Sequence, residues 1–198
     1  MNIGYLIRVR PELVDIVPRD VESYTQIHAG QNGIYAEEDI EKIRNVDAFI
    51  VGMEPVNEQI LVAADKLKIV QRLGVGYETI DLEAAARRQI PACNIEGVNK
   101  EAVAEHNMAM ILSLAKRLPQ ALAYTQKADW SSARTLTRNT FELKRQTLGI
   151  IGFGNTGSAL AKRAHAFEMN IIYSEIRDVN ADVADQLGAK LVSRDVLL

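Results

Sequence analysis

Short apolar runs alternate with amphipathic stretches along much of the chain. The runs NIGYLI, DAFIVG, LKIVQRLG and IPACNI are typical of buried strands, because each is short and rich in Ile, Val or Leu. The segments AEEDIEKIRN, NEQILVAAD and DLEAAARRQ between them favour helices, with Asn57 and Asp81 as N-caps. This alternation predicts βαβ units and parallel sheets, that is, an α/β fold.

One long helix interrupts the alternation. Residues 100–117 form a continuous helical pattern, and Pro119 follows the basic pair at its end as a stop signal. Apolar residues recur along it mainly at i, i+3, i+4 and i+7, so much of the helix is expected to be buried; they are Val103, Met110, Ile111 and Leu114.

The alternation begins again at Thr147, after a polar stretch that predicts a short helix and an irregular crossing. The sequence therefore predicts two domains, residues 1–99 and residues 100–198. The only cysteine, Cys93, is expected to be a buried strand residue, and a single cysteine excludes an internal disulfide or a multi-cysteine metal site. No metal site is expected.

The segment GFGNTG, which starts at Gly152, follows an apolar strand and opens a helix. This arrangement predicts a dinucleotide-binding turn. Gly152 would permit the tight turn, Gly154 the approach of a pyrophosphate, and Gly157 close packing of the helix against the strand. The N-terminus of the helix would then attract phosphate through its unpaired N–H groups.

Glu175 lies at the end of the next strand, 18 residues after Gly157. An acid at this position accepts hydrogen bonds from the adenosine ribose and repels a 2′-phosphate, which favours NAD over NADP. Arg177 is an opposing signal, because a nearby Arg can accept that phosphate.

Composition limits the partners and the cellular location expected for such a protein. The chain has 198 residues, 47% of them apolar and 25% charged, with a formal net charge of −3. It offers no basic surface for nucleic acid. No apolar run approaches the 18 or more residues of a membrane span, and the N-terminus lacks a signal-peptide layout. A cytoplasmic protein is expected.

Two separate regions resemble the D-isomer-specific 2-hydroxyacid dehydrogenases, which include phosphoglycerate dehydrogenases and glyoxylate/hydroxypyruvate reductases. One is the turn at Gly152. The other is residues 67–117, with the turn GVGYETID and the helix AVAEH. The resemblance implies a flavodoxin-like substrate domain over residues 1–99 and a partial Rossmann NAD-binding domain over residues 100–198, with the active site in the cleft between them.

The resemblance also implies roles for individual residues. Backbone N–H groups at Val75 and Gly76 would hold the carboxylate of a small 2-hydroxy or 2-oxo acid, and Met53 would line that pocket. The phosphates of the cofactor would meet Asn155 and Thr156, and its ribose would meet Glu175. Its nicotinamide end would lie near Val75 and Val103. The family also implies a homodimer formed through residues 100–145, with Trp130 as a candidate anchor.

The family's catalysis uses a His acid, a Glu or Asp that orients it, and an Arg that polarises the carbonyl group. All three follow the acidic strand end in the family, and the 23 residues after Glu175 contain no His. His106 is the only His near the expected cleft, at a position where the family often has one without using it as the acid. The chain is therefore interpreted as C-terminally incomplete and inactive alone. A non-catalytic NAD(H)-sensing or partner-binding protein on the same scaffold stays open.

Overall fold

Two compact units divide the chain between Val98 and Asn99 in a computed structural model, which describes residues 1–7, 21, 23–179 and 181–198. The assignment of the first unit to substrate and the second to NAD stays a prediction. Each unit has its own hydrophobic core, one centred on Phe49 and Val70 and the other on Ile150 and Ile171.

The first unit is built on one parallel sheet. Its strands are β1 Asn2–Leu6, β2 Ser23–Gln26, β3 Ala48–Val51, β4 Ile69–Arg72 and β5 Ala92–Cys93. They lie in the order β2-β1-β3-β4-β5, with every pair parallel. This is the strand order of flavodoxin-like folds. The predicted α/β class is confirmed.

Among the described residues, three short helices connect these strands: α1 Glu37–Lys42, α2 Glu58–Ala63 and α3 Leu82–Arg87. Both predicted N-caps are present, since Asn57 accepts a hydrogen bond from Ile60 N and Asp81 accepts one from Ala84 N. Such caps satisfy backbone donors that a helix leaves unpaired at its start.

The second unit has a smaller parallel sheet. Its strands are β6 Thr147–Ile151, β7 Asn170–Ser174 and β8 Lys190–Leu191, in the order β6-β7-β8. Its helices are α4 Lys100–Ala115, α5 Leu118–Gln126, α6 Trp130–Leu136, α7 Asn155–Ala166, α8 Ala181–Gln186 and α9 Arg194–Leu197. A 3₁₀ turn covers Thr137–Asn139. The three strands match one half of the usual Rossmann order.

Burial of the long helix α4 differs from the expectation. Its buried residues are Ala104, Met108 and Ala115, whereas Met110 is 52% exposed and Leu114 76% exposed. The prediction was wrong for these two and for Val103, because the helix faces its core with Ala104, Met108 and Ala115 instead. Among the described residues, no helix has the length and apolar character needed to cross a membrane.

Small side chains and one ion-pair cluster hold α4 against α7. Ala104 and Ala115 of α4 share a core with Ala161 and Ala164 of α7. At the edge of this contact, the Arg163 guanidinium lies 2.8 Å from the Glu101 carboxylate and 2.9 Å from that of Glu105. Since α7 opens at the glycine turn, this packing fixes the position of the turn.

Helix α4 ends at Ala115, before Pro119, so the predicted stop signal is confirmed. Arg117 follows with a positive φ of 51°, and the proline lies in the first turn of α5. The ring suits that position because first-turn N–H groups have no intrahelical acceptor.

The expectation of a buried Cys93 was wrong. The residue is exposed, since β5 has only two residues and lies at the edge of the sheet.

Candidate functional site

Nearly all the predicted site residues lie directly after the carboxyl end of a parallel strand. Met53 follows β3, and Val75 and Gly76 follow β4. The glycine turn follows β6, and Glu175 follows β7. Ligands of α/β sheets bind at this end of the strands. Val103 is the exception, because it lies in the first turns of α4 with 37% of its surface exposed.

The turn after β4 has each of its backbone carbonyl groups held by a donor from elsewhere in the first unit. Gly74 O accepts from Ile95 N at 2.9 Å. Val75 O accepts from the Asn94 amide Nδ2 at 2.7 Å. Gly76 O accepts from Arg72 Nε at 2.8 Å.

These three bonds determine where the N–H groups of the turn point. The structure has no cis peptide bond among the described residues, so each N–H lies opposite the carbonyl of its own peptide group. The N–H groups of Val75, Gly76 and Tyr77 therefore point away from the donors, and none has an acceptor in the described part of the chain. Successive unpaired N–H groups form an anion-binding concavity.

Arg72 is the charged residue that supports this turn, and the sequence analysis missed it. It is only 8% exposed, and no carboxylate of the described residues pairs with it. Besides Gly76 O, its guanidinium donates to Val51 O at 3.2 Å and contacts Met53 Sδ at 3.0 Å. A lone Arg in an apolar strand directly before a glycine turn was the available signal.

Its contact with Arg72 places Met53 beside the turn, although Met53 is 76% exposed. Within the first unit, one buried guanidinium contacts two of the predicted substrate residues, Met53 and Gly76, and Val75 precedes Gly76 in the same turn. An anion held there would meet backbone donors directly and a positive charge behind them. Both features favour a carboxylate.

The glycine turn after β6 has the backbone geometry that each predicted glycine role requires. Gly152 has a φ of +88°, which residues with a side chain rarely adopt. A Cβ on Gly157 would collide with Gly152 O. A Cβ on Gly154 would have no heavy atom within 4 Å, so Gly154 faces open space. That space is where a phosphate could approach the backbone.

Phe153 anchors the turn to the core. Its ring is buried and stacks on Tyr173 of β7, with ring centroids 4.1 Å apart. Immediately after the turn, Asn155, Thr156 and Gly157 form the first turn of α7. The first N–H groups of a helix have no intrahelical acceptor and lie at the positive end of its dipole. The turn therefore directs these donors toward the space in front of Gly154.

Glu175 is held by backbone N–H groups at the carboxyl ends of β6 and β7. Its carboxylate accepts from Ile176 N and Phe153 N, each at 2.8 Å, and from Arg177 N at 3.2 Å. These bonds, with Ile176 N the largest contributor, lower the pKa of Glu175 below its ordinary value. The side chain therefore stays charged at neutral pH, and its bonds weaken only as the pH falls through the lowered pKa.

This arrangement limits how Glu175 could bind a ribose. A carboxylate offers about four lone-pair sites, and three are used by backbone donors. One ribose hydroxyl can be accepted without any loss. A second would have to displace a backbone N–H. Phe153 N is the donor from the glycine turn, so ribose binding and turn geometry are coupled.

Comparison with known proteins supports the family resemblance. The model of the family described as "D-isomer specific 2-hydroxyacid dehydrogenase, catalytic domain" matches residues 6–173 of this chain. A glyoxylate reductase of Thermococcus litoralis is 38% identical over 164 residues, covering 80% of this chain and 49% of that protein. A D-3-phosphoglycerate dehydrogenase of Archaeoglobus fulgidus is 36% identical over 170 residues, covering 85% of this chain and 31% of that protein.

Solved structures share the fold. The D-lactate dehydrogenase of Aquifex aeolicus, solved with NAD and lactic acid, is 26% identical with a TM-score of 0.81, covering 100% of this chain and 57% of that one. The TT0316 protein of Thermus thermophilus is 25% identical with a TM-score of 0.80, covering 100% of this chain and 61% of that one. The chain spans about half the length of the glyoxylate reductase that it matches. It spans 31% of the length of the phosphoglycerate dehydrogenase.

Two alanine substitutions should separate folding from ligand contact at the glycine turn. Gly157→Ala should lower the free energy of unfolding by about 1–3 kcal/mol, because the new Cβ collides with Gly152 O. Gly154→Ala should change it by less than about 0.5 kcal/mol, since the new Cβ meets open space and φ is −74°. Urea unfolding monitored by circular dichroism measures both. Equal destabilisation by the two variants would contradict this geometry.

Proposed function

Because the chain belongs to the D-isomer specific 2-hydroxyacid dehydrogenase family, we propose that it supplies binding sites of an NAD-dependent oxidoreductase acting on the CH–OH group of a small D-2-hydroxy acid. The observation that carries this proposal is the pair of glycine turns, one in each unit. Each turn follows a parallel strand. The first turn faces the N–H groups of Val75, Gly76 and Tyr77 outward. The second opens α7, whose first N–H groups have no intrahelical acceptor. The activity is hydride transfer between nicotinamide and C2 of the substrate.

The second unit, residues 100–198, is the proposed NAD-binding domain. NAD, when bound, supplies the hydride acceptor or donor. The open space at Gly154 and the positive φ of Gly152 fit a pyrophosphate. The proposed contacts are Gly152, Gly154, Asn155, Thr156 and Gly157 for the phosphates, Glu175 for the ribose, and Val75 and Val103 for the nicotinamide end. The lowered pKa of Glu175 keeps a negative charge there, which disfavours a 2′-phosphate.

The first unit, residues 1–99, is the proposed substrate domain. Val75 and Gly76 would hold the carboxylate through their N–H groups, and Met53 would contact the rest of the substrate. The names of the similar proteins, glyoxylate reductase and phosphoglycerate dehydrogenase, support a small 2-oxo or 2-hydroxy acid. The proposed location of the protein is the cytoplasm.

The 198-residue chain alone is proposed to lack turnover. The resemblance assigns catalysis to a His, an acid and an Arg that match no position in this chain. His106 does not form an acid–base pair with its neighbour, because the Glu105 carboxylate is bound to Arg163. Without turnover, the same two turns would still support the alternative proposal, an NAD(H)-sensing or partner-binding protein.

A homodimer through the second unit is also proposed. Helices α4, α5 and α6 leave large apolar side chains exposed in the single chain: Met110, Leu114, Leu118, Leu122 and Trp130. Exposed apolar surface of this kind is typical of protein–protein contacts. A second copy fits because the resemblance places the family's dimer contact in residues 100–145.

A chimera tests the proposed activity. Fusing the C-terminal part of the Thermococcus litoralis glyoxylate reductase, beyond its matched region, to this chain should yield NADH-dependent reduction of glyoxylate, because it adds the missing catalytic residues. The 198-residue chain should show no turnover above background. The decrease in NADH absorbance with time, at constant pH, measures the activity of the chimera and of the chain alone.

The control for the chimera is the same fusion carrying Gly154→Ala, which should fold and lose activity because its Cβ occupies the proposed phosphate space. A folded chimera that is inactive at high NADH and glyoxylate would support the non-catalytic alternative. Turnover of the unmodified chain at an ordinary rate, about 1 s⁻¹ or more, would contradict its proposed inactivity.

Sedimentation velocity tests the dimer. The wild-type chain should sediment as a dimer at micromolar concentration, and Leu114→Lys should shift it toward monomer by placing a charge in the contact. Lys162→Glu, a charge change at an exposed position of α7, is the control and should leave the dimer intact. A wild-type monomer throughout this range would be evidence against the proposal.

A further inference from the structure

We propose that Arg72 is a positioning residue for the turn Gly74–Tyr77, and that its buried charge raises the affinity of this turn for the carboxylate of a 2-oxo or 2-hydroxy acid. The inference rests on the proposed function, because that proposal assigns the turn to the substrate carboxylate. It concerns a side chain behind the turn, not the N–H groups that would touch the substrate.

The positioning role follows from the acceptors of Arg72. One guanidinium binds both Val51 O, at the end of β3, and Gly76 O, in the turn after β4. It thereby ties the turn to the neighbouring strand and keeps the Gly76 carbonyl facing inward. The N–H of Tyr77, in the same peptide group, must then face outward. A lysine has one nitrogen and cannot reproduce this planar, forked geometry.

The electrostatic role follows from burial. A Cβ on Gly74 would lie 3.6 Å from the Arg72 guanidinium carbon, so the charge lies directly behind the turn. Its bonds within the described residues go to two carbonyls and a thioether, none of which carries a full negative charge. A buried charge is unfavourable unless it is compensated. A carboxylate bound in front of the turn would supply that compensation.

Glu78 opposes this effect. Its exposed carboxylate Oε2 lies 2.5 Å from the position that a Cβ on Gly76 would occupy. A negative charge so close to the turn lowers its affinity for anions. Removing that charge should therefore have the opposite effect to removing the charge of Arg72.

Substitution of Asn94 tests the geometry of the turn without changing the charge beside it. Its side chain is exposed and neutral, and it holds Val75 O as Arg72 holds Gly76 O. Loss of the Asn94 amide should free the peptide group that carries the Gly76 N–H. Because the site is exposed, Asn94→Ala is expected to leave the fold intact.

The experiment is a titration of the ¹⁵N-labelled 198-residue chain with pyruvate at constant ionic strength, with lactamide as the uncharged control ligand. Pyruvate should shift the amide resonances of Val75, Gly76 and Tyr77. Arg72→Met should weaken binding by about tenfold or more, and Arg72→Lys should give an intermediate affinity, since it keeps the charge and loses the fork. Arg88→Met, at an exposed arginine, should bind as the wild type does.

Two further variants serve if Arg72→Met does not fold. Asn94→Ala should weaken pyruvate binding, and Glu78→Gln should strengthen it. If Arg72→Met is folded and binds as tightly as Arg88→Met, or if Asn94→Ala and Glu78→Gln both leave binding unchanged, the proposal is overturned. Failure of the wild type to bind pyruvate at this turn would contradict the proposed function as well, so the two failures are distinguishable.

Discussion

Outward-facing backbone N–H groups are what the two glycine turns offer to an anion. Those of Val75, Gly76 and Tyr77 have no acceptor among the described residues, and those that open α7 have no acceptor within the helix. In the first unit, Ile95, Asn94 and Arg72 engage the carbonyls of the turn and leave the opposite N–H groups outward. In the second unit, the close approach of Gly157 to Gly152 sets α7 at the end of β6. Parallel strands place both turns at the carboxyl edge of a sheet.

Local patterns in the sequence predicted much of this architecture. Alternating apolar runs gave the parallel α/β class, and the N-caps at Asn57 and Asp81 matched the structure because capping depends on a few neighbouring residues. The glycines at 152 and 157 were predictable for the same reason. Their roles in the fold require a particular backbone angle or close contact, which glycine alone permits.

Features that depend on distant parts of the chain were not predictable. Arg72 reads as an ordinary charged strand residue until β3 and the turn surround it. The helix α4 has apolar residues on more than one side, so periodicity could not show that Ala104, rather than Leu114, faces the core. The link from Glu175 to Phe153 N likewise depends on two strands meeting at one edge.

The measurement that tests the central claim most directly is a residue-resolved NMR titration of this chain with NADH. If the turn after β6 binds the pyrophosphate, the amides of Gly154, Thr156 and Gly157 should show the largest shifts in the second unit, and NADPH should bind at least about tenfold more weakly because Glu175 is charged. Shifts that leave these amides unchanged, or equal affinity for NADH and NADPH, would contradict the account.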